Sequence, residues 1–308
     1  MVSTGSGWLI YERIFRSKRL RILILGGTGQ IGFELQRSLA HLGEIIAPGR
    51  AILDLMNKSA VDDYLKKESI DLIVNAAAWT DVDKAEDHKV AAQRLNADLP
   101  LQLAKYSASN NIKFIHYSSD YVFNGSGNKP WHENSPIGPL NFYGQTKIEA
   151  DNSIQQICVN FLIFRISWVY SARGNNFMNS MLKHAKNKKK LNIVSDQTGT
   201  PTSARLIAEV TALAIYARLE SGLYHLAPKG QTNWYEFSKA IFDLGHKAGL
   251  KLTLNSKNVN PISTKEYPTL ARRPHNSRMD STKLEKALDI KLPDWKNQLN
   301  LTFDECIK

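Results

Sequence analysis

Short apolar runs alternate with amphipathic stretches along most of the chain, and the alternation predicts strands and helices in turn. Leu20 to Leu25 (LRILIL) is apolar almost throughout, the pattern of a strand buried on both faces of a parallel sheet. Phe33 to Leu42 then carries Leu35, Leu39 and Leu42 on one helical stripe. A strand at Glu44 to Ala47, a helix capped by Ser59 and running to Lys67, and a strand at Ile70 to Val74 continue the rhythm. One long helix is predicted from Asp81 past Asn96 and Pro100 to Ser109, followed by a strand at Ile112 to His116. A loop rich in Gly, Pro and Asn, Asn124 to Asn141, precedes a helix that runs on toward Ile157.

The second half reads less regularly. Asn160 to Val169 is predicted as a sixth strand, Gly174 to Phe177 opens a helix, and Leu191 to Val194 is a strand ending in the polar turn Asp196 to Thr202. Helices at Ser203 to Leu219 and Trp234 to Ala248 flank a short strand at Gly222 to Leu226, and Ser281 is placed to cap a closing helix. Strands alternating with helices specify an α/β fold built on a parallel sheet. Residues 21–168 read as a nucleotide-binding domain and 169–308 mainly as a smaller α/β domain, with some segments returning to the first.

Composition narrows this picture. The 308 residues are 43% hydrophobic and 22% charged, ordinary for a globular protein. No apolar run approaches the roughly 18–20 residues of a membrane span. The net charge of +11 suits a multiply anionic cofactor or substrate. Its densest cluster, Lys183 to Lys190, lacks the interleaved aromatics of a single-strand binder and reads as a solvated helix end, so nucleic acid is not an expected partner. Cys158 and Cys306 have no metal or redox spacing, which points to a reduced cytoplasm. Residues 1–20 lack the apolar core and cleavage site of a signal peptide and are read as a non-essential extension.

The candidate chemistry sits at predicted strand ends. Gly26-Gly27-Thr28-Gly29-Gln30-Ile31-Gly32 lies between a strand and a helix, the context in which glycines let a dinucleotide diphosphate approach a helix N-terminus. Past the next strand, where an acid would favour NAD, the chain places Arg50, whose fork suits the 2′-phosphate of NADPH. NADH remains the alternative cofactor. Asp54 and Leu55 fit beside an adenine, and the small residues of Asn75 to Thr80 leave room for a cofactor over the backbone. Ser119 ends a strand where a hydroxyl could meet a carbonyl oxygen, although a serine there more commonly satisfies its own turn. Tyr143 and Lys147 are one helical turn apart; an ammonium near a phenol makes it a better acid, although such a spacing is commonly just a surface pair. Arg272 and Arg273 stand before Pro274, and a surface charge pair is the usual explanation of such a doublet.

In order and spacing these features resemble the extended short-chain dehydrogenase/reductases, with their Rossmann-type doubly wound sheet. Within that superfamily the chain is similar to the dTDP-4-dehydrorhamnose reductases. The resemblance is carried by GGTGQIG (26–32), VNAAAWTDVDKAE (74–86), SSDYVFNG (118–125), PLNFYGQTK (139–147), FRISWVY (164–170), GNNF (174–177), DQTGTPT (196–202) and ARRPHNSRMD (271–280). These segments are spread over most of the chain from Arg21 to Trp295. The resemblance implies that Tyr143 donates a proton, that Lys147 lowers its pKa and binds the nicotinamide ribose, and that Ser119 orients the keto oxygen. It implies cofactor contacts from Gly26, Gly29, Gln30, Ile31, Gly32, Arg50, Asp54, Leu55, Ala77, Ala78 and Thr80, and from Tyr143 and Lys147 themselves. It implies sugar-nucleotide contacts from Asp120, Trp168, Asn176, Phe177, Thr200, Arg272 and Arg273, with a core tryptophan as the other reading of Trp168. Ser118-Ser119 departs from the family's commoner Ser-Thr and keeps the hydroxyl. The resemblance also allows a homodimer and Mg2+, for which the sequence assigns no ligands. The rival readings are another nucleotide-sugar reductase or epimerase, and a non-catalytic relative such as a methionine adenosyltransferase regulatory subunit.

Overall fold

A computed structural model describes residues 19–307. The expected extension at 1–20 lies, except for its last two residues, outside the described residues. The chain runs through β1 (Leu20–Leu25), α1 (Gln30–Leu39), β2 (Gly43–Ile46), α2 (Lys58–Lys67), β3 (Leu72–Asn75), α3 (Val82–Asp87), α4 (Lys89–Gln93), α5 (Leu99–Ser109), β4 (Lys113–Ser119), α6 (Phe142–Ile157) and β5 (Phe161–Ile166). It continues through β6 (Val169–Tyr170), α7 (Phe177–Asn187), β7 (Leu191–Val194), β8 (Thr198–Gly199), β9 (Thr202–Ser203), α8 (Ala204–Tyr216), β10 (Gly222–His225), β11 (Thr232–Asn233), α9 (Trp234–Lys247), β12 (Val259–Ile262), α10 (Thr282–Leu288) and α11 (Trp295–Ile307).

Six strands form one parallel sheet in the order β10-β5-β4-β3-β1-β2. Alternate residues of β1 explain why the run is apolar on both sides. Ile22 and Ile24 pack with Leu35 and Leu39 of α1 and Leu206 and Ile207 of α8. Leu23 and Leu25 pack with Val61 and Leu65 of α2, Leu99 and Leu103 of α5, and Ile154 of α6. The strand order reverses at β1, with β2 on one side and β3 on the other, which opens a crevice outside their carboxyl ends. A separate core joins α7, α9 and α11 through Met178, Phe237, Phe242 and Phe303. Beside that core, β6 pairs with β9, β8 with β11, and β7 with β12.

Several boundaries differ from the sequence pattern, each for a local reason. The helix expected from Asp81 to Ser109 is broken at His88 and widened into a π turn at Arg94–Asp98. Pro100 offers no N–H to the carbonyl four residues back. The widened turn aims Asn96 inward, where its Oδ1 accepts from Trp79 N (2.8 Å) and its Nδ2 donates to Trp79 O (3.0 Å) and Thr146 Oγ1 (3.2 Å). Asn57, not Ser59, caps α2 by accepting from Ala60 N. Ser281 occupies the cap position of α10, but its hydroxyl bonds Ala227 instead. The strand expected at Asn160 to Val169 stops at Ile166, because Trp168 turns the backbone into the left-handed region (φ 48°) before β6 restarts against β9.

Asn96→Ala is expected to lower the unfolding free energy by about 1–3 kcal/mol for each buried group left without a partner. Urea denaturation reads this directly, and an unchanged midpoint would show that the π turn is held by something else.

Candidate active site

The crevice starts at the turn after β1. Gly26 has φ 79°, and Gly29 N donates to Gly26 O (2.9 Å). A Cβ on Gly26 would lie 2.6 Å from Ala77 N, and one on Gly32 would lie 2.2 Å from Gly26 O. The turn is therefore pressed onto the end of β3, and α1 leaves tightly from it. Gly29 caps α1 without a side-chain acceptor, so first-turn N–H groups are left for an anion. Two cavities open on either side of this turn, sharing Thr28, Gly29 and Ala76 to Ala78. One, about 430 Å³, is lined by Gly26, Arg50, Asp54 and Leu55 among others. The other, about 630 Å³, takes in Gln30, Ile31, Thr80, Ser119, Tyr143 and Lys147. Arg50 is exposed at the rim, its Nε 3.8 Å from Asp54 Oδ1. A third cavity, about 510 Å³, lies against Lys58, Arg94 and Gln102, and contains none of the predicted site residues.

Asn141 caps α6 by accepting from Gly144 N (2.8 Å), and this start sets Tyr143, Lys147 and Asp151 one turn apart on the helix. Ser119, the last residue of β4, donates to Asp120 Oδ1 (3.0 Å) and accepts from Tyr121 N (3.2 Å). Loss of water around the Tyr143 phenol pushes its pKa up, and the Ser119 hydroxyl opposes this. The phenol thus holds its proton firmly. Lys147 Nζ instead donates to Tyr117 O (2.6 Å) and lies 3.3 Å from His116 Nε2. Burial brings Lys147 down to about 8, with the Asp151 charge opposing. His116 is held well below its usual range, first by burial and then by Lys147, so its ring is neutral. Asp151 is pushed up by burial, against the Arg165 guanidinium 3.0 Å away. Burial likewise raises Asp120 to about 6, opposed by the hydroxyls of Ser277 and Ser119.

Other predicted residues divide into wall and frame. Asp120 and Trp168 line the larger cavity. The Asn176 amide does not; its Nδ2 donates to Gln30 Oε1 (2.9 Å) and its Oδ1 accepts from Asn179 N, which ties the glycine turn to α7. Phe177 stacks on Phe237 at 5.4 Å. Thr200 Oγ1 donates to Gly230 O (3.0 Å). Arg273 is bound to Asp83 (2.6 Å), while Arg272 is exposed and gives its carbonyl to Asn141 Nδ2. The segment holding them straps the site from behind: Thr198 N donates to His275 O, Ser277 N to Thr198 O, and Trp131 N to Arg278 O. His225 is a structural strand residue, with Nδ1 3.0 Å from Trp131 O.

The sequence reading missed Asn75, Tyr121 and Trp234 on the cavity wall, and His116 and Asp151 around Lys147. The Tyr-x-x-x-Lys spacing extends by one further turn to Asp151, a signal that was available. Trp234 carried none, since it opens an ordinary amphipathic helix. Among the described residues no group of three or more His, Cys, Asp or Glu is placed to hold a metal ion, and no helix is long and apolar enough to cross a membrane.

A switch-point crevice with a glycine turn, joined to a serine, a tyrosine and a lysine, defines the class of nucleotide-dependent reductases of Rossmann type. The family described as RmlD substrate binding domain matches residues 20–307, and the chain belongs to it. It is 44% identical over 296 residues to the dTDP-4-dehydrorhamnose reductase of Escherichia coli K12, covering 92% of this chain and 98% of the relative. Its fold is similar to a dTDP-4-dehydrorhamnose reductase from Clostridium acetobutylicum, with TM-score 0.87, 33% identity, and coverage of 94% of this chain and 100% of that one. A Bacillus anthracis dTDP-4-dehydrorhamnose reductase in complex with NADP matches with TM-score 0.86 at 30% identity, over 94% of this chain and 100% of that one.

An NMR titration of the Lys147 ammonium should show a midpoint near 8. In Asp151→Asn it should fall further, because the charge that opposes burial is gone. A wild-type midpoint near the free-lysine value of about 10.4 contradicts this account.

Proposed function

We infer that this chain catalyses the NADPH-dependent reduction of the C4 ketone of dTDP-4-dehydro-β-L-rhamnose to dTDP-β-L-rhamnose, the final step of dTDP-L-rhamnose synthesis. The observation that carries it is the single cavity in which Ser119, Tyr143 and Lys147 meet the glycine turn. The relatives that share nearly the full length of the chain support the particular ketone. The free cysteines Cys158 and Cys306 agree with a cytoplasmic enzyme.

The residues present fit the cofactor. The places where Cβ atoms would clash at Gly26 and Gly32 keep the turn flat, and the uncapped first turn of α1 leaves N–H donors for a diphosphate. Gly26, Gly29, Gln30 and Ile31 would hold that diphosphate. Arg50 would take the 2′-phosphate, Asp54 and Leu55 the adenine side, and Ala77, Ala78 and Thr80 the run toward the nicotinamide. NADPH, when bound, supplies the hydride. Tyr143 keeps its proton until the C4 oxygen gains charge, then donates it to that oxygen. Ser119 Oγ hydrogen-bonds the same oxygen and fixes its position. Lys147, charged below about 8, stabilises the developing alkoxide from the adjacent turn and holds the ribose hydroxyls. The Trp168 wall and Asp120 face the sugar.

Tyr143→Phe should retain NADPH binding, read by cofactor fluorescence, while turnover falls at least about a hundredfold. Near-normal turnover would sink the proton-donor role. The pH profile carries a second expectation. Because burial lowers the Lys147 pKa, the ammonium is present below about 8 and lost above it, so kcat/KM should decline as pH rises through that value. A profile flat to pH ~10, where an unperturbed lysine would titrate, would contradict the lowered Lys147 pKa.

A further inference from the structure

Trp168 is held in an unusual way. Its backbone is left-handed, which a bulky side chain adopts only under constraint from its surroundings. Its indole lies face to face on Trp234, with ring centroids 3.7 Å apart and planes 15° from parallel. Trp234 is itself fixed on three sides. Its Nε1 donates to Gln197 Oε1 (3.1 Å), and its ring meets Phe177 at 4.6 Å and Phe237 at 6.4 Å. The Trp168 indole also lies close over Gly199, where a Cβ would come within 2.6 Å of Cε2. Gly199 and Trp234 are brought together because β8 pairs with β11, Thr232 opposite Gly199, directly before α9 begins. Both indoles line the cavity that contains Ser119, Tyr143 and Lys147.

We propose that Trp234 is a positioning residue that sets substrate specificity, clamping Trp168 against Gly199 so that the pair forms a rigid apolar wall for the C6 methyl of a 6-deoxy-4-keto sugar. The proposal rests on the reductase reading given above. A wall of stacked indole carbons welcomes a methyl group, and the Trp234 N–H, committed to Gln197, is not free to pair with a C6 hydroxyl. The polar chemistry at C4 lies with Ser119, Tyr143 and Lys147 and is separate from this choice.

The test compares wild type with Trp234→Leu and Trp234→Phe. Substrates are the 6-deoxy-4-keto sugar nucleotide and its 6-hydroxy counterpart, with NADPH oxidation followed for each. The stacked indoles should give an exciton couplet in the circular dichroism of the wild type, lost in Trp234→Leu. That variant should raise KM for the 6-deoxy substrate, leave kcat and the KM for NADPH little changed, and narrow the preference over the 6-hydroxy sugar by about tenfold or more. Trp234→Phe, which keeps a ring to stack on, should recover much of the preference. Gly199→Ala, which crowds Trp168 with Trp234 intact, carries the same expectation should Trp234→Leu fail to fold. A lost couplet with unchanged KM and unchanged preference overturns the wall. Failure of the wild type to oxidise NADPH with the 6-deoxy substrate overturns the reductase reading beneath it, so the two failures are told apart.

Discussion

A charged amine buried beneath the reaction cavity is the constraint around which the rest of the site is arranged. Lys147 lies in the interior, where an unpaired ammonium would be expelled or neutralised. It is retained because Tyr117 gives it a carbonyl and Asp151 a nearby negative charge. Asp151 in turn needs Arg165, and the register that sets Ser118 beside Arg165 is the pairing of β4 with β5. Ser119 lies one residue further along β4. The strand that satisfies the lysine therefore also delivers the Ser119 hydroxyl to the cavity that holds Tyr143.

The same economy joins the two halves of the molecule. Gln30 belongs to the glycine turn, yet its carbonyl oxygen accepts from Ser171 and Asn176 on the far side of the crevice. Asn176 also caps α7, so the cofactor turn and the second core share one amide. Arg173, over the Phe33 ring at 3.7 Å, adds a cation to this junction. The 271–280 segment bonds both the 124–141 loop and the 196–202 turn. Asn176 and Thr200, which the family resemblance implies as sugar-nucleotide contacts, also hold this frame together.

Much of the fold was legible from periodicity. LRILIL read as a doubly buried strand because its alternate residues do enter different cores, and the glycine turn followed from its place between strand and helix. The errors fall where a side chain overrides the local pattern. Asn96 widens a helix to reach Trp79, and Trp168 breaks a strand to reach Trp234. Pro100 supplies a local part of the first reason, but Trp79 and Trp234 are distant in sequence, so no local window contains the whole of it.

The sequence alone determined the parallel α/β architecture, the crevice at the strand ends and the identity of the serine, tyrosine and lysine. The architecture and the crevice follow from hydrophobic period and chain geometry, which are local; the serine, tyrosine and lysine were singled out by the family resemblance, since their spacing alone is commonly that of a surface pair. The tertiary structure decided the protonation of those groups and the shape of the wall opposite them. Tyr143 keeps its proton because water is excluded around it, and Lys147 donates to the Tyr117 carbonyl of β4 with the Asp151 charge opposing the effect of its burial. Burial and the meeting of distant strands set such properties, and both exist only once the chain has folded.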